Sequence, residues 1–534
     1  MPRTRYIPRL VDGRLRELFV SFAAVRLTGP RACGKSRTAE LLAPGRPPVD
    51  LSVRSVAELW SGDPDGALRA AGVPVVIDEW NAAPDVLGAV KRAVDHGAAA
   101  GSYALTGSIS GEVYPGRWQA TGRVLDVQMA TMTARETAGL AEAELFVERA
   151  LRPPEEWVDE FGAAARVRID LGDYLDMAAL GGYPDALAAA SPADARAWLG
   201  GYTRQLAEID ASKLGSRISV ARLERYLRAA ALTSGQAPTW ETLGEAAGID
   251  RQTAANYDRL LERLFIGWSA APFLSNRLKR LTAAPKRFIA DSGLMLALAG
   301  AGAADLVREP GLLGQALETF VANQLRAELG AAMRPPELTH LRDRGGEHEV
   351  DLVLEYPAGE VVGIEVKASK SPGARAHKHL SWLRDQLGDR FAAGFVLHTG
   401  DVAEEVGSRI WSMPIAALWH WHPARSGVDI LSFEQEGASA LGRTLATGGF
   451  QIFAGAVGLD RLTASAQQDP SRAKRIEAHR AELLRRGVIR PGPDSSTFVF
   501  VRNLIVGTAS NAAELLFGGQ LSGPATWRPV PPAG

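Results

Sequence analysis

The sequence predicts a multidomain α/β protein, on three observations. Two apolar runs, Ala23-Ala24-Val25-Arg26-Leu27 and Val73-Pro74-Val75-Val76-Ile77, read as strands buried on both faces of a parallel sheet. From about Glu142 to Leu232, Ala, Leu, Arg and Glu recur at helical spacing. In the second half, Val350 to Leu354 and Val361 to Val366 flank the hairpin-like Tyr356-Pro357-Ala358-Gly359-Glu360. A chain of 534 residues, 46% hydrophobic and 23% charged, suits about three to five domains with cores of their own.

The first run leads directly into Gly29-Pro30-Arg31-Ala32-Cys33-Gly34-Lys35-Ser36, a Gly, four residues, then Gly-Lys-Ser. This is a phosphate-binding loop: its glycines let backbone N–H groups curl around phosphates, Lys35 supplies a point charge, and the Ser36 hydroxyl is a magnesium ligand. The pattern implies ATP with Mg2+. The second run ends in Asp78-Glu79, where Asp78 would hold the magnesium shell and Glu79 would orient and polarise the attacking water. A surface turn after a core strand is the plainer alternative. A third run, Ser102 to Ser108, puts Thr106 and Ser108 at another strand end, where a hydroxyl could sense the terminal phosphate.

These residues resemble the AAA+ class of P-loop ATPases of bacteria and archaea that carry a C-terminal domain of formerly unknown function. The likeness includes Tyr6-Ile7-Pro8-Arg9, the Gly-Pro-Arg-Ala start of the loop, Ile77-Asp78-Glu79, Lys91 with Asp95, and Leu105-Thr106-Gly107-Ser108. The resemblance implies that Arg123, after Gly122, is offered to a neighbouring subunit's site in a homo-oligomer; an ordinary surface arginine fits equally.

The helical middle is interrupted by Arg152-Pro153-Pro154 and by Gly181-Gly182-Tyr183-Pro184, which reads as a helix stop and resembles a turn between helices in the same family. Residues 239–254 have the layout of a helix-turn-helix, with Gly248 at the tight turn. Its second helix presents Arg251, Gln252, Asn256 and Arg259, and the segment from Pro272 to Ile289 carries Arg277, Lys279, Arg280, Lys286 and Arg287 as a wing able to neutralise DNA phosphates. Asp258 and Glu262 dilute that face, and a packing role for the module stays open.

Along the later strand Glu365 and Lys367 are two residues apart and share a face, while Ile364 and Val366 point into the core. Asp351 converges on them across the hairpin. Hard carboxylate oxygens to hold magnesium and a cation to orient water are what metal-assisted phosphodiester hydrolysis needs. The set resembles the restriction-endonuclease-like, or PD-(D/E)xK, superfamily. That resemblance implies Asp351 and Glu365 as metal ligands, Glu318 as a further ligand from the first helix, and Lys367 as the water-positioning residue; Gln324 departs from the frequent Glu. Acid-x-Lys triplets also occur on solvated sheet faces, and the fold persists in silent proteins. His377 and His379 are candidates for phosphate contact or for an exposed helical face.

Beyond about Trp421 two strand-like segments flank a charged helix, Ser471 to Arg486, bearing Arg472, Lys474, Arg475, Arg480, Arg485 and Arg486, a nucleic-acid track or a solvated face. The end resembles a small domain of unknown function of bacterial nucleases and defence proteins, with Ser522-Gly523-Pro524 in place of its usual Asn-Gly-Trp. A net charge of -1 excludes a whole-chain argument for nucleic acid. The single cysteine, Cys33, suits a reducing cytoplasm, and neither a signal peptide nor a membrane span is expected. The expected architecture is an AAA+ P-loop core over residues 1–140, a helical lid over 141–225, a winged helix over 226–300, a restriction-endonuclease-like α/β domain over 301–424 and a small α+β domain over 425–534. The expected function is a cytoplasmic Mg2+-dependent ATPase whose nucleotide cycle controls a nuclease-like DNA-acting module in DNA processing or defence. The alternative is a nucleotide-dependent regulatory or scaffold protein whose silent nuclease fold binds a protein or DNA partner.

Overall fold

A computed structural model of the chain describes residues 6–108, 122–152, 169–206, 219–273, 284–342, 347–373, 375–419, 431–444, 450–452, 455–485, 487–492, 494, 496–501, 504–506, 508–519 and 526–529. The first apolar runs form β1 (Ala24–Thr28), β2 (Val49–Asp50), β3 (Val75–Asp78), β4 (Tyr103–Gly107) and β5 (Leu125–Gln128), all paired in parallel in the order β2-β3-β4-β1-β5. Alternation along each strand feeds two cores. Val75, Ile77 and Leu105 pack with Val86, Leu87 and Val90 of one helix, while Val25, Leu27, Val76 and Ala104 pack with Leu15, Leu18 and Phe19 of α1 (Val11–Ser21). Both faces of the sheet are thus covered, which is why its strands read as continuous apolar runs.

After β1 comes α2 (Lys35–Ala39), and the helix on the opposite face is α3 (Val86–Asp95). The middle of the chain holds α4 (Leu171–Leu180), α5 (Pro192–Gln205), α6 (Val220–Leu232), α7 (Trp240–Ala247) and α8 (Arg251–Arg263) around one apolar cluster. Gly248 takes φ +64° between α7 and α8, a left-handed helix end that glycine reaches without strain, and the Asp250 side chain caps α8 by accepting from the Thr253 N–H. The antiparallel hairpin β6 (Gly267–Pro272) and β7 (Lys286–Ile289) follows, then α9 (Ser292–Ala299).

Long helix α10 (Pro310–Ala331) precedes β8 (Glu337–Arg342), β9 (Glu349–Glu355), β10 (Val361–Lys367), β11 (Phe391–His398), β12 (Glu404–Gly407) and β13 (Ile410–Pro414), with α11 (Lys378–Leu387) between β10 and β11. Leu317, Val321 and Leu325 of α10 cover one face of these strands, against Val362, Ile364 and Phe395. Leu380 and Leu383 of α11 cover the other, against Val350, Val361 and Val396. The sheet also takes in two strands that precede residue 300. Its order is β12-β13-β11-β10-β9-β8-β6-β7, because β6 pairs with β7 on one side and, through Ala271 and Pro272, with Thr339 and His340 of β8 on the other.

The strands between residues 431 and 529 form a third, antiparallel sheet with a core of its own. In the charged helix here, α12 (Pro470–Arg485), Lys474 and Arg485 are exposed, but other cations are engaged within the domain. Arg480 is buried, donates to the Leu515 and Asp460 carbonyls and lies over Phe498, while Arg472 and Arg475 pair with Glu514. Arg486 and Ser522 to Pro524 lie outside the described residues. Among the described residues no helix is long and apolar enough to cross a membrane.

Candidate nucleotide site and an acid–lysine cluster

The phosphate loop joins β1 to α2. Gly34 holds φ +104° directly before the helix, a conformation a side chain would strain. Lys35 is buried, its ammonium donating to the Pro30 carbonyl at 2.7 Å, and Cys33 is fully buried beneath the loop. The Ser36 hydroxyl donates to Asp78 Oδ1 at 2.9 Å. Hydroxyl and carboxylate are the hard donors magnesium takes, so the pair fits the ion that the loop implies.

Strand order does the rest. Because β4 lies between β1 and β3, the end of β4 faces the acids that end β3. Thr106 Oγ1 donates to Asp78 Oδ1 and accepts from the Glu79 N–H at 3.2 Å, while the Ser108 hydroxyl donates to Glu79 Oε1 at 2.6 Å. Glu79 sits in the left-handed region, φ +53° and ψ +49°, an uncommon state for a non-glycine residue that recurs at functional sites. Lys35, Ser36, Asp78, Glu79, Thr106 and Ser108 are therefore gathered at one edge of the sheet. Arg123 is not among them: its guanidinium pairs with Asp95 at 2.7 Å, beside Lys91 at 2.6 Å, on the outer side of α3.

The loop is braced from behind by Arg9. Its guanidinium donates to the Cys33 carbonyl at 2.7 Å, the Ala130 carbonyl at 2.9 Å and Glu136 Oε1 at 3.0 Å, with the paired side chains 4% and 3% exposed. Glu136 also accepts from the Leu10 and Thr133 N–H groups. From the other side, the Tyr202 hydroxyl of α5 donates to the Arg31 carbonyl at 3.3 Å. The Gly-Gly-Tyr-Pro turn is more than a helix stop. The Gly182 carbonyl accepts from the Met132 N–H at 2.7 Å and its own N–H donates to Asp291 Oδ2 at 2.8 Å; a β-carbon there would lie 2.0 Å from the Met132 carbonyl oxygen. Asp291 is buried and caps α9 through the Leu294 N–H. Burial raises its carboxyl pKa against the N–H donors that lower it.

Asp291 follows β7, and the first residue of β7 is Lys286. Here the structure corrects the sequence reading. Lys286 is no wing contact for DNA phosphates: it is 3% exposed, with its ammonium 2.5 Å from Glu318 Oε1 and 3.6 Å from Asp351 Oδ1. Arg287 is likewise engaged, by Asp258 and the Pro238 carbonyl, and lies over Trp240. Arg251 pairs with Glu241. Arg277, Lys279 and Arg280 lie outside the described residues.

The second candidate centre therefore contains five charged groups. Asp351 Oδ2 accepts from the Val366 N–H at 2.9 Å, and Lys367 donates to Glu365 Oε2 at 2.6 Å. Glu318 projects from α10 to meet Lys286. Burial pushes the Glu318 carboxyl up to about 8, and it also raises Glu365, with Asp351 adding to both. Burial works to lower the two ammonium groups, but Glu318 and Asp351 outweigh it at Lys286, and Glu365 and Asp351 outweigh it at Lys367. Beside the cluster His348 stacks on Trp382 at 4.2 Å and meets His379 edge-on at 5.8 Å. Among the described residues no group of three or more His, Cys, Asp or Glu side chains is disposed to hold a metal ion. The carboxylates converge, but a lysine stands between two of them.

Comparisons with known proteins match three stretches of the chain, the first of which holds the phosphate loop. Residues 21–138 match the family model described as AAA domain, residues 171–305 match a domain of unknown function (DUF8612), and residues 313–418 match a domain of unknown function (DUF4143). Uncharacterized proteins of Mycobacterium tuberculosis and Mycobacterium bovis are each 26% identical over 361 residues, 67% of this chain and 73% of the relative. A Walker-type ATPase of Pyrococcus abyssi covers 56% of this chain and 98% of its own at 15% identity and a TM-score of 0.31. The chain carries a P-loop ATPase domain of the AAA type over residues 21–138.

Proposed function

We propose that the chain is a Mg2+-dependent ATPase whose nucleotide state is relayed to the acid–lysine cluster of a nuclease-like module that acts on DNA. Lys35 and the loop N–H groups would hold the phosphates, Ser36 and Asp78 the magnesium, and Glu79 the attacking water, with Ser108 positioning Glu79. Arg123 would reach a neighbour in a homo-oligomer only by leaving Asp95. One observation carries the relay. The short strand β7 ends beside Asp291, which holds the Gly182 turn next to the phosphate loop, and begins with Lys286, which holds Glu318 and Asp351. The two contacts lie five residue steps apart along the chain, at most about 17 Å.

A second reading, a catalytically silent nuclease fold that binds a protein or DNA partner, is favoured by the same Lys286. Magnesium-dependent cleavage of linear, nicked and branched DNA in the presence of ATP separates the two, using wild type, Lys35→Ala and Lys367→Ala. Cutting that needs both lysines supports the first. ATP turnover without cutting, with Lys367→Ala behaving as wild type, removes the nuclease part and leaves the ATPase part standing.

A further inference from the structure

Carboxylates gathered largely out of water, as Glu318, Asp351 and Glu365 are, need a compensating cation. In nuclease-like sites that cation is a divalent metal, but here the structure supplies its own. The Lys286 ammonium lies 2.5 Å from Glu318 and 3.6 Å from Asp351, and Lys367 takes one oxygen of Glu365 at 2.6 Å. The other oxygen, Glu365 Oε1, is buried without a hydrogen-bond partner. As they stand the three acids are not disposed to hold a metal ion, and a monovalent side chain stands between two of them. The lysine comes from outside the helix and hairpin that carry the acids: β7 is the last strand of the sheet, separated from β9 by β8 and β6.

We propose that Lys286 is a built-in cation that occupies the divalent-metal position of the Glu318–Asp351–Glu365 cluster, so that a divalent ion enters only when Lys286 is withdrawn. The inference rests on reading these acids as a nuclease-like centre. It adds a gate that the acid-x-Lys pattern does not contain. An ammonium and a divalent ion compete for the same carboxylate oxygens, so Lys286 offsets part of the acids' charge and keeps a divalent ion out. Withdrawal of the Lys286 side chain would free the Glu318 and Asp351 carboxylates, in the same cluster as the unpartnered oxygen of Glu365.

The test is Mn2+ binding to the nucleotide-free full chain, followed by electron paramagnetic resonance, in wild type, Asp351→Asn, Lys286→Met and Lys286→Met/Asp351→Asn. Wild type and Asp351→Asn are expected to bind Mn2+ alike, whereas Lys286→Met gains one site at least tenfold tighter, lost again in the double variant. Asp351-dependent Mn2+ on wild type as tight as on Lys286→Met overturns the gate while leaving the nuclease-like reading intact. No Asp351-dependent Mn2+ in either protein overturns both. The comparison of wild type with Asp351→Asn needs no folded Lys286 variant: tight Asp351-dependent Mn2+ there overturns the gate by itself, and Lys286→Gln replaces Lys286→Met if the latter fails to fold.

Discussion

Arg9 is the residue whose replacement should reveal how firmly the phosphate loop is held in shape. In Arg9→Lys one positive charge remains, but the planar fork is lost, and one ammonium cannot reach the Cys33 carbonyl, the Ala130 carbonyl and Glu136 together. Two charge-assisted bonds to buried carbonyls disappear, each contributing about 1.5–3 kcal/mol, and a surviving contact to Glu136 avoids the full cost of about 3–5 kcal/mol for breaking a buried pair. A net loss of about 3 kcal/mol is expected, confined to the region joining residues 9, 33 and 130. A multidomain chain does not unfold in two states, so the readout is local: hydrogen exchange of the loop amides should accelerate roughly a hundredfold, tenfold per 1.4 kcal/mol. ATP affinity should fall with it, because part of the binding energy must then reorder the loop. Exchange at residues 29–36 and ATP affinity both within twofold of wild type would refute the bracing role.

Three further outcomes follow from contacts already described. Lys35→Ala should lose ATP binding, whereas Glu79→Gln should keep it and lower turnover by about 10²–10⁴-fold; equal turnover in both and wild type would remove the assignment. Gly182→Ala forces a methyl to within 2.0 Å of the Met132 carbonyl oxygen, so it should cost about 1–3 kcal/mol in thermal stability and weaken nucleotide-dependent protection of the turn from exchange; an unchanged melting temperature would contradict the close approach. His340 is buried on β8 with its pKa pushed down to about 4, by burial first and then by Lys286. Its folded pKa lies below the unfolded value, so the stabilisation is full above about pH 6.5 and is lost as pH falls toward 4, about 2 kcal/mol of it between pH 7 and 5. His340→Gln should flatten that part of the pH dependence of urea unfolding, and an unchanged slope would count against it.

What the sequence disclosed was whatever chemistry sits within a few neighbours. Gly29 to Ser36 and Asp78-Glu79 are legible because the loop and the strand end each carry their own geometry, and Glu365 with Lys367 because a strand's two-residue period puts them on one face. Asp351 meets them as the hairpin requires, the register pairing Leu352 with Ile364. Lys286 misleads for a physical reason: in a basic stretch after a helix-turn-helix, charge suggests solvent, and its partner Asp351 lies 65 residues further on. Only the folded sheet brings them together. Arg480 misleads in the same way, since a composition count cannot tell a solvated guanidinium from one buried against two carbonyls. Arg9 and Asp291 carried weaker signals, a position in an upstream motif and an acid before a helix, and neither identifies the loop or turn it secures. His348, stacked on Trp382, had none.

Strand β6, bonded to β7 on one side and β8 on the other, makes the stretch from the helix-turn-helix to the last sheet strand one mechanical piece. A fragment cut near residue 300 would strip β8 of its neighbour and expose a row of unpaired N–H and C=O groups, a template for aggregation. Under the proposed relay, a push delivered at Asp291 would meet a hydrogen-bonded ladder and not a slack linker, and would pass as through a lever into the strands that hold the acids.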